Sequence, residues 1–230
     1  MEQKPFTALI YKEINNLRYN GQFFVTATIP LIIYVLFMLD DSISWTVLIV
    51  LTLIFLPLQI QGNLLVEEKE QQTWRILEQQ GISLYGLTLV KALLPAAMTL
   101  FLTFLIAYSS GLSLGSTLLI CIFIIPALFI MLSIGTIIAV YANNKIEVII
   151  WEAPIIIIFI SLEIINQVLM SSEYSTILSL FPYYHFIRGL LLIPDQPPEA
   201  FSVSFLYTLI LSLVFVVLAV FVIHKRKQSF

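Results

Sequence analysis

Two glutamates in a strongly apolar part of the chain are the residues best placed to do chemistry. Glu152 and Glu163 are eleven residues apart, which on one α-helix separates them by ~20° around the axis and ~16 Å along it. Carboxylates that share acid–base work stand ~5–9.5 Å apart, so this helix alone does not supply such a pair. Ionisable side chains inside a membrane helix usually face protein or water. We therefore interpret Glu163, Glu152 and nearby Asn166 as candidates to line a pathway. A structural role, in which Glu152 reaches the membrane surface, is the alternative.

Two amides in another apolar stretch could line the same pathway. Gln59 and Asn63 are four residues apart and so share one face of a helix. Amide side chains also join membrane helices by hydrogen bonds. Both interpretations, pathway lining and helix packing, are open at this point.

The composition indicates which elements must position these side chains. Of 230 residues, 60% are apolar and 11% are charged, whereas a soluble domain has ~25% charged residues. The net charge of −3 gives no reason to expect a nucleic-acid partner. The single cysteine, Cys121, excludes an internal disulfide and a multi-thiolate metal site. The sequence therefore predicts an all-α polytopic membrane protein.

The charged residues divide the chain into stretches long enough to cross a membrane, for which a helix needs ~20 residues. Four uncharged gaps accommodate five spans, and the stretch that holds Glu152 and Glu163 is apolar enough for a sixth. The predicted spans cover about residues 22–39, 43–66, 88–110, 116–141, 148–170 and 203–224. The whole chain, residues 1–230, then forms one transmembrane domain.

The lysines and arginines predict the orientation. If six helices alternate, ten of the eleven basic residues fall on one side of the membrane, and only Arg188 falls on the other. The side rich in lysine and arginine is cytoplasmic by the positive-inside rule. We therefore expect a multi-pass protein of the cell (cytoplasmic) membrane with both termini in the cytoplasm.

Two segments outside the spans have patterns of their own. Residues 5–20 place apolar side chains on one helical face and charged ones on the other, which predicts an interfacial helix at the inner membrane surface. Residues 173–194 are apolar and aromatic but are broken by Pro182. They predict a re-entrant helical hairpin in the outer leaflet, because a seventh crossing would place the basic C-terminal tail outside.

The longest polar segment on the predicted cytoplasmic side is residues 67–81. Its first residues suit the N-terminus of a helix, where negative charge is favoured; they are Glu67, Glu68 and Glu70. Trp74 and Leu77 share an apolar face, and Gly81 is a typical helix stop. The pattern predicts a short cytoplasmic helix over 67–81.

The same segment has an ordered series of residues: Glu68, Glu70, Thr73, Ile76, Leu77, Ile82, Ser83 and Lys91. This order resembles the membrane subunit of an ABC exporter of the type-2 permease family. Members of that family have six spans. Their cytoplasmic pattern between the second and third spans is, in order, acids, a Gly-Thr pair, a leucine-rich turn, a Pro-Ile/Leu-Ser step and a lysine that opens the third span. The chain departs from the pattern with Gln72 in place of glycine and Gly81 in place of proline.

Two further segments resemble the same family. The N-terminal helix, which ends at Leu17-Arg18, is similar to the family's connecting helix. The segment before the last span resembles its outer helical hairpin, with Phe181, Tyr183, Tyr184, His185 and Arg188 as the residues of note.

The resemblance implies that residues 67–81 form a coupling helix that docks into a separate ATPase subunit. The residues assigned to this role are Glu67, Glu68, Glu70, Thr73, Trp74, Arg75 and Leu77, and Trp74 and Arg75 are the expected contacts. The chain lacks a G-x-x-x-x-G-K-[ST] phosphate-binding motif. We therefore expect no catalytic, cofactor-binding or metal-binding residue here, and no enzymatic activity, with ATP and Mg on the partner.

The implied function is export of a small amphipathic or peptide cargo from the cytoplasm or the inner leaflet. Besides the ABC ATPase, the expected partners are membrane lipid and a second permease subunit, either identical or related.

Two alternatives belong to other classes of protein. Phe181-x-x-x-His185 matches one motif of the CAAX-processing intramembrane proteases, and Glu67-Glu68 suggests another. The second motif needs arginine four residues after the paired acids, where this chain has Gln72. A non-ABC accessory membrane protein is the other alternative.

Overall fold

The described part of the chain is helical. The computed structural model describes residues 9–12, 15, 21, 28–29, 31–32, 34–35, 44–169, 179 and 181–226. Within these ranges there is no strand. The helices are α1 Trp45–Glu70, α2 Thr73–Gln79, α3 Leu84–Ser109, α4 Leu114–Phe123, α5 Ile125–Tyr141, α6 Lys145–Leu169, α7 Pro182–Leu192, α8 Pro197–Glu199 and α9 Phe205–Arg226. A π-helical turn at Ala200–Ser204 joins α8 to α9.

Five helical stretches in the described ranges are long and apolar enough to cross a membrane. They are Trp45–Glu70, Leu84–Ser109, Leu114–Tyr141, Lys145–Asn166 and Pro197–Arg226. They confirm the prediction of an all-α, multi-pass membrane protein. The predicted first span, 22–39, lies outside the described residues except for six positions, all helical. A total of six spans therefore stays a prediction, as does the side on which each end lies.

Serine caps explain where three of the helices begin. The Oγ atoms of Ser83 and Ser113 each accept a hydrogen bond from a backbone N–H three residues on, at 3.1 Å. Ser44 Oγ accepts from the N–H of Thr46 at 3.4 Å. Such caps satisfy N–H groups that a helix leaves unpaired at its start. Because Ser83 is a cap, α3 begins at Leu84, four residues before the predicted start of the third span at 88.

The centre of the bundle is formed by α1 and α5. Helix α1 packs against α3, α5 and α6, and α5 packs also against α9. The axes of α1 and α5 approach closely at Gly135, where a Cβ atom would lie 2.6 Å from the carbonyl oxygen of Leu58. Small residues permit such close crossings of membrane helices. Most of the α1 surface is consequently buried, whereas α6 and α9 leave most of theirs exposed.

The remaining predicted segments are described in part. Residues 9–12 and 15, within the predicted interfacial helix, are helical. Helix α7 covers the second half of the predicted outer hairpin, residues 173–194. Residues 173–178 and 180 lie outside the described residues, so the hairpin stays a prediction. The predicted fourth span is divided at Ile124, just before Pro126, into α4 and α5.

Candidate functional site

The predicted helix over 67–81 is wrong in its bounds, because two helices share this segment. Helix α1 continues through Glu67, Glu68 and Glu70, and α2 begins only at Thr73. The acids therefore lie in the last turns of α1 and not at the N-terminus of α2. Gln72, between the two helices, has a left-handed backbone with φ of +54°.

The carboxylate of Glu68 joins four segments of the chain. Its Oε1 lies 3.0 Å from Lys91 Nζ on α3 and 3.0 Å from Lys12 Nζ in the N-terminal helical residues. The hydroxyl of Thr73, at the start of α2, donates a hydrogen bond to Oε2. The exposed fractions of Glu68 and Lys91 are only 3% and 2%. This ion pair is therefore shielded from water, and its loss costs more than that of a surface pair.

An apolar cluster fixes α2 next to this ion pair. Trp74 and Leu77 are buried against Leu9, Leu65 and Leu87, which belong to the N-terminal segment, α1 and α3. Helix α2 is thus held by apolar packing on one face and by the Thr73–Glu68 hydrogen bond at its start.

The predicted contact residues on α2 differ in their exposure. Trp74 lies inside the chain, so its indole is not available to a partner and instead anchors α2. Arg75 and Gln79 are exposed, and Ile76 has an exposed fraction of 56%. We call Arg75, Ile76 and Gln79 the α2 outer face. Of the two residues expected to touch a partner, only Arg75 lies on it.

The other acids tie α1 to the start of α6. Glu67 Oε2 lies 3.1 Å from Lys145 Nζ, and Glu70 Oε1 accepts a hydrogen bond from the backbone N–H of Lys145 at 2.8 Å. Lys69 Nζ donates to the carbonyl oxygens of Val140 and Ala142 at 3.1 and 2.7 Å. These contacts bring basic residues from several helices to one end of the bundle, which we call the basic end.

The membrane glutamates are both buried on one face of α6. Glu152 is 0% exposed, and neither carboxylate oxygen has a hydrogen-bond partner among the described residues. It lies against α1, since a Cβ atom at Gly62 would stand 2.6 Å from Glu152 Oε1. Its side chain does not reach the surface of the chain, which argues against the alternative in which Glu152 reaches the membrane surface.

Glu163 and Asn166 lie on the same buried face of α6, farther from the basic end. The hydroxyl of Tyr183, on α7, donates a hydrogen bond to Glu163 Oε2. Burial, together with the neighbouring Glu163 carboxylate, raises the pKa of Tyr183 above its usual value, so the phenol keeps the proton that it donates. Glu163 is therefore linked to α7 and not to Glu152.

The polar residues of α1 differ in their burial and in their hydrogen bonds. Gln59 is half-buried, and the buried Oδ1 atom of Asn63 has no hydrogen-bond partner in the described part of the chain, so both interpretations of these two amides stay open. The amide that joins helices is Gln61, whose Nε2 donates to Thr136 Oγ1 at 3.2 Å and to the Thr88 carbonyl at 3.3 Å. Gln61 is not among the candidates selected from the sequence, although amide side chains in apolar helices commonly make such contacts.

His185 contacts two aromatic rings, one on its own helix α7 and one on α9. Its ring stacks on Tyr207 with centroids 4.7 Å apart and meets Tyr184 edge-on at 5.8 Å. Its Nε2 lies 2.8 Å from the carbonyl oxygen of Ser179. Arg188 is exposed near Glu199, and Phe181 is half exposed. His185 and the Glu67-Glu68 pair thus contact different parts of the bundle and are not brought together as one site.

No family model, curated protein or solved structure matches this chain.

Proposed function

We propose that this chain is the membrane subunit of an ATP-driven ABC exporter, which moves a small amphipathic or peptide cargo with energy from a separate ATPase subunit. The observation that carries the proposal is the attachment of α2. This short helix presents Arg75 and Ile76 outward, while Trp74 and Glu68 fix it to three other segments.

Such an attachment suits the transmission of force. A partner that moves α2 also moves the ends of α1 and α3. The reason is that Trp74 and Leu77 share one apolar cluster with residues of both helices, and the Glu68–Lys91 ion pair joins α1 to α3. Close-packed interiors transmit displacement instead of absorbing it. ATP binding in a docked subunit would thereby act on α1, the helix that carries Gln61 and Asn63.

The α2 outer face has the chemistry of a small docking site. It combines an arginine with an exposed isoleucine, and arginine is enriched among residues that dominate binding energies. Docking through this face requires Trp74 to act as an internal anchor and Arg75 to make the contact.

The backbone at Gln72 supports the resemblance to the type-2 permeases. Gln72 stands where that family has glycine, and its φ of +54° lies in the left-handed region that glycine adopts most easily. The position thus has the backbone geometry that the family's glycine suits, although the side chain differs.

A second permease subunit completes the proposal. Helices α6 and α9 carry apolar residues on largely exposed surfaces, which require lipid or another subunit to cover them. Two such subunits, identical or related, would enclose a pathway at their interface.

Co-purification with a candidate ABC ATPase subunit tests the proposal. We expect Arg75→Glu to reduce ATPase binding at least tenfold, because it reverses the charge on the α2 outer face. The matched control is Arg188→Glu, the same change at an exposed arginine on α7, which we expect to bind normally. Equal binding by both variants would contradict the proposed docking face.

A further inference from the structure

A polar pocket lies between α7 and the π-helical turn that precedes α9. Its volume is about 230 Å³. Helix α7 contributes His185 and Arg188 to its lining, and the segment that leads into α9 contributes Glu199, Ser202 and Val203. Single π-helical turns are rare and often occur at functional sites, so this segment is a candidate for binding.

The walls of this pocket are held in place by close packing. A Cβ atom at Gly189 of α7 would lie 2.9 Å from the Cβ atom of Ser204 and would overlap the ring of Phe123. Helix α7 therefore approaches the π-helical turn as closely as a glycine permits. The pocket is thus formed by the fold before any ligand binds.

Two opposite charges line the pocket without neutralising each other. The Arg188 guanidinium and the Glu199 carboxylate are both exposed, and neither forms an ion pair within the described part of the chain. Ser202 and His185, in contrast, are engaged by backbone carbonyl oxygens, since Ser202 Oγ donates to that of Glu199 at 2.7 Å and His185 Nε2 lies 2.8 Å from that of Ser179. A ligand that carries both a negative and a positive group can therefore pair with both charges of the pocket.

The pocket stands where the chain enters the membrane. Glu199 and Ser202 belong to the first turns of the apolar stretch Pro197–Arg226, which is long enough to cross a bilayer. Val203, next to them, is 64% exposed and continues the pocket as apolar surface. Phospholipids present a charged head group at this boundary, with hydrocarbon directly beneath it.

From this geometry we infer that the pocket binds the phosphoethanolamine head group of a phospholipid, with the phosphate at Arg188 and the ammonium at Glu199. A guanidinium offers planar paired donors that match the oxygens of a phosphate. A primary ammonium has three N–H donors for the Glu199 carboxylate, whereas the quaternary ammonium of choline has none. The volume is below that of drug-sized sites, so the acyl chains lie outside it, along the exposed apolar surface that begins at Val203.

Native mass spectrometry of the purified full chain tests this inference. The chain is titrated with phosphatidylethanolamine, phosphatidylcholine and phosphatidylglycerol that have identical acyl chains. We expect phosphatidylethanolamine to bind at least tenfold more tightly than either of the others, since a charged hydrogen bond contributes about one to two orders of magnitude in affinity.

A soluble competitor identifies the source of the head group. Free O-phosphoethanolamine should displace the lipid only at a concentration at least tenfold higher than that of the lipid, because it has no acyl chain to bury. Equal potency of the two would assign the pocket to a soluble zwitterion and would overturn the assignment to lipid.

Two variants assign the two charges. Glu199→Gln should make phosphatidylethanolamine and phosphatidylcholine bind equally, whereas the control Asp195→Asn, at an exposed acid outside the pocket, should keep the preference. Arg188→Glu should weaken the binding of all three lipids at least tenfold, because each has a phosphate. Its control is Arg75→Glu, the same change on α2, which should bind all three normally.

Three further results would overturn the inference. They are equal binding of the three lipids by the unaltered chain, an unchanged preference in Glu199→Gln, and equal effects of Glu199→Gln and Asp195→Asn. The first of these needs no variant, so the test does not depend on the folding of one.

This site is independent of ATPase docking. No ATPase is present in the lipid titration, so its failure leaves the proposed export function untouched. Arg188→Glu should lose the lipid and keep the ATPase, whereas Arg75→Glu should lose the ATPase and keep the lipid.

Discussion

Replacement of Glu68 should destabilise the chain far more than replacement of its neighbour Glu67. Glu68→Leu removes the carboxylate from the buried ammonium of Lys91, 3.0 Å away, and breaking a buried ion pair from one side costs about 3–5 kcal/mol. The Glu67–Lys145 pair is partly exposed, and pairs of that kind contribute only about 0–1 kcal/mol. We therefore expect a difference of at least about 2 kcal/mol between the two variants.

The double variant Glu68→Leu/Lys91→Met shows whether the unpaired Lys91 ammonium causes the loss of stability in Glu68→Leu. Replacing both members of a buried pair by apolar residues of similar volume is often neutral or stabilising. The second substitution should therefore restore most of the stability that Glu68→Leu removes. Glu68→Leu also removes the Lys12 contact, but this contact contributes little, since Lys12 is more exposed than Lys91.

The assay is reversible unfolding in mixed micelles, with the free energy of unfolding obtained by titration with sodium dodecyl sulfate. The double-mutant cycle then gives the coupling energy between Glu68 and Lys91. A loss below about 1 kcal/mol for Glu68→Leu, or an equal loss for Glu67→Leu, would refute the assignment of Glu68 as the buried junction. Failure of Lys91→Met to rescue would refute the role of Lys91.

Three further stability changes are expected in the same unfolding assay. Gln72→Gly should raise the free energy of unfolding by about 1 kcal/mol, because glycine adopts the left-handed backbone at this position without strain. The control Gln71→Gly, at φ −82°, should not raise it. A lower free energy of unfolding for Gln72→Gly would contradict this prediction. Gly135→Ala should lower the free energy of unfolding by about 1–3 kcal/mol, since its Cβ would press on the Leu58 carbonyl oxygen. Gly115→Ala should be neutral, because the atom nearest to its Cβ would be 3.8 Å away. Equal effects of the two substitutions would be inconsistent with the close helix crossing. Glu152→Met should raise stability by about 1–3 kcal/mol by removing a buried unsatisfied group, and a fall would indicate an interaction absent from the described contacts.

The membrane helices could be predicted because their signal is local. An apolar run between charged residues, read against the thickness of a membrane, indicates a span without knowledge of its neighbours. Ser83 caps α3, so that this helix begins earlier than predicted. The C-terminal end of α1 extends past its last apolar residue, Val66. Both features shift helix bounds by a few residues without changing the number of described spans.

The contacts of the charged residues could not be predicted in the same way. The predicted third span, 88–110, contains Lys91, but the sequence does not indicate that Lys91 is buried in an ion pair with Glu68. The acids of residues 67–70 were assigned to the wrong helix, since their partners are Lys91 and Lys145, distant in sequence. The contact between Tyr183 and Glu163 also depends on how α6 and α7 pack. Side-chain pairs of this kind follow from tertiary packing and have no local signal.

The most direct test of the proposed function is photocrosslinking from the α2 outer face. A benzophenone side chain is introduced at Ile76 in one sample and, as control, at Val203, which is equally exposed near the opposite end of the bundle. Each chain is then co-expressed with a candidate ABC ATPase subunit. If the ATPase docks on the α2 outer face, we expect a cross-link to it from position 76 and none from position 203. No cross-link from position 76, or equal cross-linking from both positions, would contradict it.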